Sequence, residues 1–124
     1  MTSQLFSALK IKDVELVNRI VIAPMCQYSA KKGVPNDWHL MHLGQFSVSG
    51  AGLVIAEATA VEAIGRISPG CPILETDEQE EAFARIVKFF DDFGVAQAGI
   101  QLAHAGRKAS TDMPWNGGKP LSPD

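Results

Sequence analysis

A thiol and a phenol follow directly on a short run of strand-forming residues near the start of the chain. The run stops at a proline, in the order Ile20-Val21-Ile22-Ala23-Pro24-Met25-Cys26-Gln27-Tyr28. Ligands bind at the carboxyl ends of parallel strands, which is where this pattern places Met25, Cys26 and Tyr28. A cysteine is also commonly no more than a small buried hydrophobe, and a tyrosine can equally anchor a loop. The pattern therefore indicates a ligand site at this strand end and leaves both roles open.

An amide side chain interrupts a second apolar run. Gln101 lies within Gly99-Ile100-Gln101-Leu102-Ala103, which is typical of a buried strand. A buried amide without a partner costs about 1–3 kcal/mol, so Gln101 needs a polar group to meet it. Either a backbone group at the rim of the sheet or the polar edge of a ligand would serve.

Strands must position these side chains. Residues 9–19 alternate apolar and polar around Lys12-Asp13, which predicts a small hairpin ahead of them. Continuous apolar runs then predict three strands, over residues 20–23, 53–58 and 96–102.

Two helices are predicted between these strands. Asn36 can cap the first, which ends at Gly50-Ala51-Gly52, and Thr76 with Gln79 forms a capping box for the second, which stops at Gly94. Two strand-helix-strand crossovers imply a parallel α/β sheet, either closed into a barrel or open and doubly wound. No GxGxxG or Walker-type loop follows a strand, so the common nucleotide-binding open sheets lose support.

Composition and charge narrow the range of partners. The formal net charge is -3 with acidic and basic residues interspersed, so we expect neither nucleic acid nor a membrane surface as a partner. Cys26 and Cys71 lack CxxC spacing, which indicates isolated, reduced thiols. His39 and His42 are three residues apart on a helix, which favours capping and packing, and no metal is expected. No membrane span or signal segment is recognised, so we expect a cytoplasmic protein.

Several motifs together resemble the old yellow enzyme family of flavin-dependent ene-reductases, in its bacterial branch with the xenobiotic reductases. They cover essentially the whole chain, and the Cys-Gln-Tyr ending is specific to that branch. The matching stretches are Asn18-Arg19-Ile20, Ala23-Pro24-Met25-Cys26-Gln27-Tyr28, Asn36-Asp37-Trp38-His39, Glu57-Ala58-Thr59-Ala60-Val61, Gly65-Arg66-Ile67-Ser68-Pro69-Gly70 and Gln101-Leu102-Ala103-His104-Ala105-Gly106-Arg107-Lys108.

The resemblance implies a (β/α)8 TIM barrel, which needs roughly 250 residues. The chain has 124. We therefore expect it to supply the N-terminal hairpin and about the first three strands, with residues 1–124 forming the N-terminal portion of a single, apparently truncated, flavin-binding domain. An incomplete barrel should leave strand edges and the apolar faces of Phe83, Ile86 and Phe90 without partners, so we expect the chain alone to be poorly folded and inactive.

The resemblance also assigns roles to residues. It implies that FMN is bound by Ala23, Pro24, Met25, Cys26, Ala58 and Gln101. Cys26 and Tyr28 are implied as the catalytic pair: the thiol tunes the flavin, and Tyr28 borders the substrate. His104, Arg107 and Lys108 are interpreted as scaffold at the pocket mouth, with Arg107 pairing with a carboxylate such as Glu57.

The implied activity is that of an NAD(P)H:FMN ene-reductase. Such an enzyme reduces the activated C=C bond of α,β-unsaturated carbonyls, maleimides or nitro compounds, with NAD(P)H as reductant, and we expect a homo-oligomer at full length. Within the same fold, the alternative is another FMN barrel such as a dihydrouridine synthase or a dihydropyrimidine-type dehydrogenase. A tRNA-modifying enzyme should carry a basic surface, whereas this chain is slightly acidic. A non-catalytic fragment of a split assembly is the alternative from a different class.

Overall fold

A computed structural model describes residues 3–122, and Met1, Thr2, Pro123 and Asp124 lie outside the described residues. Both ends of the predicted 1–124 domain therefore fall outside this range. The strands, in chain order, are β1 (Leu9–Ile11), β2 (Val14–Leu16), β3 (Val21–Ile22), β4 (Leu53–Ala60) and β5 (Gln97–Ala103). The α-helices are α1 (Asp37–Ser47) and α2 (Asp77–Phe93).

The predicted hairpin and the parallel sheet are both present. Strands β1 and β2 pair antiparallel across a turn in which Lys12 adopts a positive φ of 52°. A three-stranded sheet follows in the order β3-β4-β5, with both pairings parallel. Helix α1 lies between β3 and β4 in the chain, and α2 lies between β4 and β5. The two crossovers bring the carboxyl ends of the three strands to one edge of the sheet.

The predicted capping residues begin both helices. The Asn36 side chain accepts the Trp38 amide N–H at 3.0 Å, and the His39 ring accepts the Asn36 amide N–H at 3.1 Å. At the second helix, Gln79 Oε1 accepts the Thr76 amide N–H at 3.0 Å. These bonds satisfy amide groups that a helix start would otherwise leave unpaired.

The helices cover one face of the sheet with a compact apolar core. Its buried residues come from α1, β4, α2 and the residue just before β5: Leu43, Val54, Ala56, Ile86, Phe90 and Ala96. Contrary to the expectation of unpartnered faces, Ile86 and Phe90 of α2 are therefore buried, because β4 and α1 already supply their neighbours. Among the described residues, no helix is long and apolar enough to cross a membrane.

Strand β5 is the edge of the sheet, and most of its side chains are exposed. Leu102 is 59% exposed, and Ile100 is partly exposed as well. Gln101 is also exposed, so the expectation of a buried amide was wrong. The reason is its position, since an edge strand has a neighbour on one side only. Its apolar sequence is typical of a strand with neighbours on both sides.

Candidate functional site

A β-bulge turns two predicted site residues to the same side of the sheet. Ala56 pairs in register with Ile100, but the next pair is Ala58 with Gln101, so Glu57 is the extra residue on β4. Side chains alternate along a strand, and without the bulge Ala58 would share the face of Ala56, against the helices. With it, Ala58 lies beside Gln101 on the face away from the buried core.

The Cys26 thiol lies at the same strand end. Cys71 acts on this thiol and raises its pKa, whereas the Ala58 amide favours the thiolate. Cys71 is 1% exposed, and its sulfur lies 3.4 Å from the Ser68 hydroxyl. The two cysteines are free, as predicted, but they are not isolated from one another. The two cysteines are 45 positions apart in the sequence, so sequence patterns did not indicate that they lie close together.

The paired thiols titrate in opposite directions. The pKa of Cys26 is raised above its ordinary value by its hydrogen bond to Cys71, by burial, and by the charges of Cys71 and Glu57. The pKa of Cys71 is lowered because its sulfur is hydrogen-bonded by Cys26 and Ser68. A negative charge on one sulfur disfavours a second one nearby, so the Cys26 thiol keeps its proton.

Tyr28 is held in an unusual backbone conformation. Its φ is 52°, in the left-handed region that a bulky residue rarely adopts. Gly70 packs against it so closely that a Cβ on Gly70 would lie 2.6 Å from the Tyr28 carbonyl oxygen. The next turn is bonded as well, with the Ala30 amide donating to the Gly70 carbonyl at 3.0 Å. The surrounding loops therefore fix the direction in which the phenol projects.

Two exposed tryptophans contact the Cys26-to-Tyr28 segment. The Trp115 ring meets the Tyr28 ring edge-on, with centroids 5.6 Å apart and an interplanar angle of 89°. The Trp38 indole N–H donates to the Gln27 side-chain oxygen at 3.0 Å. Trp115 is 65% exposed and lies far along the chain, so its arrival beside Tyr28 depends on a long loop that sequence periodicity does not describe.

A buried carboxylate accepts a hydrogen bond from this segment. Glu57 is 5% exposed, and its Oε2 accepts the backbone N–H of Gln27 at 3.0 Å. Its Oε1 lies 3.4 Å from Nε2 of His39, which is 2% exposed. The expected pairing of Glu57 with Arg107 was therefore wrong, because α1 brings His39 to the carboxylate instead. Arg107 is exposed at the far end of β5.

The predicted site residues lie on the face of the sheet opposite the helices and on the segment that follows β3. Ala23 and Met25 are exposed, and Pro24 between them is half-buried. Ala58 is half-buried beside exposed Gln101. The small side chains leave room for a flat group at the strand ends, where Cys26 could face it and the Gln101 carboxamide offers both a donor and an acceptor.

Sequence reasoning missed three features: the proximity of Cys71 to Cys26, the hydrogen bond of Glu57 to the Gln27 amide, and the contact of His39 with Glu57. The signal for Glu57 was available, because a carboxylate inside the apolar segment 53–60 must be paired when it is buried. His39 was correctly interpreted as a capping residue, but its second nitrogen was not considered.

Comparison with known proteins gives a consistent picture. The model of the NADH:flavin oxidoreductase / NADH oxidase family matches residues 4–118. The chain is 53% identical over 109 residues to an NADPH dehydrogenase of Listeria monocytogenes, covering 86% of this chain and 32% of the relative. It is 46% identical over 114 residues to an NADH:flavin oxidoreductase of Gibberella zeae, covering 92% of this chain and 27% of the relative. The chain thus spans about a third of the length of these curated relatives.

Solved structures agree in fold. Morphinone reductase in complex with tetrahydroNAD superposes with a TM-score of 0.80 at 29% identity, over 88% of this chain and 29% of that one. Old Yellow Enzyme from a Pichia species gives a TM-score of 0.80 at 30% identity, over 86% and 28% of the two chains. The predicted fold class is confirmed, since these neighbours are TIM barrels and the chain matches one part of them. The chain therefore belongs to the NADH:flavin oxidoreductase / NADH oxidase family and has the N-terminal hairpin and first parallel strands of an old yellow enzyme barrel.

Proposed function

We propose that this chain forms the N-terminal portion of an FMN-dependent NAD(P)H oxidoreductase that reduces activated C=C bonds. The observation that carries the proposal is the alignment of Cys26, Ala58 and Gln101 at one strand end, with the Ala58–Gln101 register created by a bulge. Family membership and the coenzyme in the morphinone reductase complex support a nicotinamide as the reductant. The substrate class is an electrophilic alkene: an enone, a maleimide or a nitroalkene.

The residues present fit an isoalloxazine ring. Ala23 and Ala58 are small, so a planar group can approach the backbone at both strand ends. The exposed Gln101 carboxamide matches the adjacent donor and acceptor atoms of the ring's pyrimidine edge. When bound, FMN supplies the hydride chemistry, and the protein supplies orientation and polarisation.

Two side chains of the chain act beside the ring. The Cys26 thiol retains its proton because its pKa is raised by the hydrogen bond to Cys71 and by burial, so a neutral, polarisable sulfur lies beside the ring. Tyr28, whose backbone is held at a φ of 52°, is the side chain proposed to border the substrate. Burial is the main reason that the pKa of Tyr28 is raised above its ordinary value, so the phenol remains a hydrogen-bond donor at neutral pH.

The test is to purify the protein at its natural length and titrate it with FMN. The proposal expects a stoichiometric yellow complex that NADPH or NADH bleaches anaerobically and that cyclohexenone reoxidises. A protein that binds no FMN, or one that is bleached but not reoxidised by cyclohexenone, maleimide or a nitroalkene, contradicts the proposal. Uridine-containing tRNA and dihydropyrimidines are the comparison substrates for the rival FMN barrels.

A further inference from the structure

We propose that Glu57 is a positioning residue for this reaction: it holds the Cys26-Gln27 peptide in place and sets the electrostatic potential at the Cys26 thiol. The inference rests on the proposed function insofar as Cys26 acts on a flavin. It adds a residue that touches neither the ring nor the substrate, and it assigns a task to the buried Glu57–His39 pair.

The positioning part follows from hydrogen bonding. Glu57 sits at the bulge of β4, in the middle of the sheet, and its Oε2 accepts the Gln27 backbone N–H at 3.0 Å. Gln27 is the neighbour of Cys26 in a segment that has left β3 and has no strand partner. A carboxylate fixed on β4 therefore sets the distance between the sheet and the peptide that carries the thiol.

The orientation of Glu57 is itself determined by helix α1. The Asn36 backbone N–H donates to His39 Nδ1 at 3.1 Å, so Nδ1 is unprotonated and the ring proton lies on Nε2. Nε2 lies 3.4 Å from Glu57 Oε1 and makes no hydrogen bond within the described residues, so the two buried groups interact through their charges and dipoles. A start-of-helix cap thus positions the imidazole, and its buried Nε2 lies against the carboxylate.

The electrostatic part follows from burial. Glu57 and His39 are shielded from water, and a charge in such surroundings acts on its neighbours more strongly than one at the surface. The groups that interact with the Cys26 thiol are Cys71 from the 61–76 loop, Glu57 and the Ala58 amide from β4, and the Tyr28 phenol, whose own pKa Cys26 raises. The Cys71 hydrogen bond and burial raise the pKa of Cys26 first, and the Glu57 carboxylate raises it further. Removing the Glu57 charge should therefore make Cys26 more acidic.

The test compares Glu57→Gln with Glu62→Gln. Both variants exchange a carboxylate that faces a histidine, but Glu62 contacts exposed His104 at 2.8 Å and is half-exposed. Iodoacetamide alkylation of Cys26 is followed by peptide mass spectrometry from pH 6 to pH 10 in the cofactor-free protein, with Cys26→Ala identifying the peptide. At a fixed pH below the titration midpoint, Glu57→Gln should alkylate at least about threefold faster than the wild type, about half a pKa unit. Glu62→Gln should match the wild type.

A second readout uses the FMN-loaded protein. Loss of a negative charge beside the flavin should make the reduction potential of Glu57→Gln more positive, and Glu62→Gln should leave it unchanged. Unchanged alkylation and an unchanged potential in a folded Glu57→Gln protein overturn the proposal. A protein that binds no FMN but shows the faster alkylation overturns the proposed function and supports the Glu57 assignment.

His39→Gln keeps the test open if Glu57→Gln does not fold. Glutamine is a favoured residue at this capping-box position, so the helix start is retained, while the imidazole N–H that faces Glu57 is lost. The carboxylate is then less compensated, and Cys26 alkylation should slow. An alkylation profile identical to that of the wild type overturns the proposal.

Discussion

Ala58 and Gln101 are register partners on neighbouring parallel strands, one step beyond a bulge at Glu57. The bulge serves two purposes. It turns Ala58 away from the apolar core to the side of Gln101, and it leaves Glu57 free to reach the Gln27 amide and His39. A single extra residue in β4 therefore organises both the surface proposed for the flavin and the buried pair that supports the Cys26 segment.

Replacing Gln101 with leucine tests the seating of FMN. Gln101→Leu removes both hydrogen-bonding ends of the carboxamide at an exposed position, so the fold should be preserved. We expect weaker FMN retention and an altered flavin absorption spectrum, measured by FMN titration and visible spectroscopy. Gln97→Leu on the same strand is the matched control, since Gln97 is exposed at the opposite end of β5. Normal FMN affinity with an unaltered spectrum in Gln101→Leu would show that the strand ends are wrongly placed around the ring.

Replacing Cys26 tests whether the thiol tunes the flavin. Cys26→Ala should leave FMN bound but shift its reduction potential and change the rates of both half-reactions, because the polarisable sulfur beside the ring is lost. The potential is measured by dye-coupled anaerobic titration and the half-reactions by stopped flow. An unchanged potential with unchanged rates would return Cys26 to the role of a small packing residue.

Replacing Tyr28 separates substrate contact from cofactor seating. Tyr28→Phe keeps the aromatic wall and the edge-on contact with Trp115 but deletes the hydroxyl. FMN should remain in place. The activation free energy calculated from kcat/KM for cyclohexenone should change by about 0.5–1.5 kcal/mol, the contribution of one neutral hydrogen bond. Loss of flavin from this variant would contradict the assignment.

The coupling of the two thiols predicts a pH effect. The pKa of Cys26 is raised first by its hydrogen bond to Cys71, so Cys71→Ala should let it fall towards the ordinary thiol value. A lower pKa means more thiolate at a given pH, and alkylation of Cys26 at pH 8 should be faster than in the wild type. Ser49→Ala is the control, because its exposed hydroxyl donates to the Phe46 carbonyl at 2.7 Å and is not among the groups that shift the pKa of either thiol. Equal rates in Cys71→Ala and the wild type would contradict the coupling.

The open edge of β5 predicts the behaviour of the 124-residue chain when it is produced alone. Unpaired backbone groups and exposed apolar side chains such as Leu102 form a template for further strands, so we expect self-association. Light scattering after gel filtration measures it, and Leu102→Lys should reduce it by placing a charge at the edge. A cooperative thermal transition from a monodisperse wild-type monomer is the opposite result.

The fold was largely predictable because local chemistry specifies it. Asn36, Thr76 and Gln79 mark the helix starts, and continuous apolar runs mark the strands. The bulge at Glu57 was not predictable, since it depends on the register between two strands rather than on either strand alone. The Cys26–Cys71 contact escaped for the same reason. In both cases, residues distant in the chain meet only after the crossovers form.

The contact between Gly70 and Tyr28 constrains any attempt to broaden the substrate range of the proposed enzyme. Saturation mutagenesis at residue 28 would sample side chains that must all accept a positive φ, and asparagine, aspartate, histidine and glycine tolerate it best. A companion library at residue 70 would yield few folded members, because any side chain there meets the Tyr28 backbone. Trp115 is a better position to randomise, because it contacts the Tyr28 ring, is 65% exposed and has no such backbone requirement.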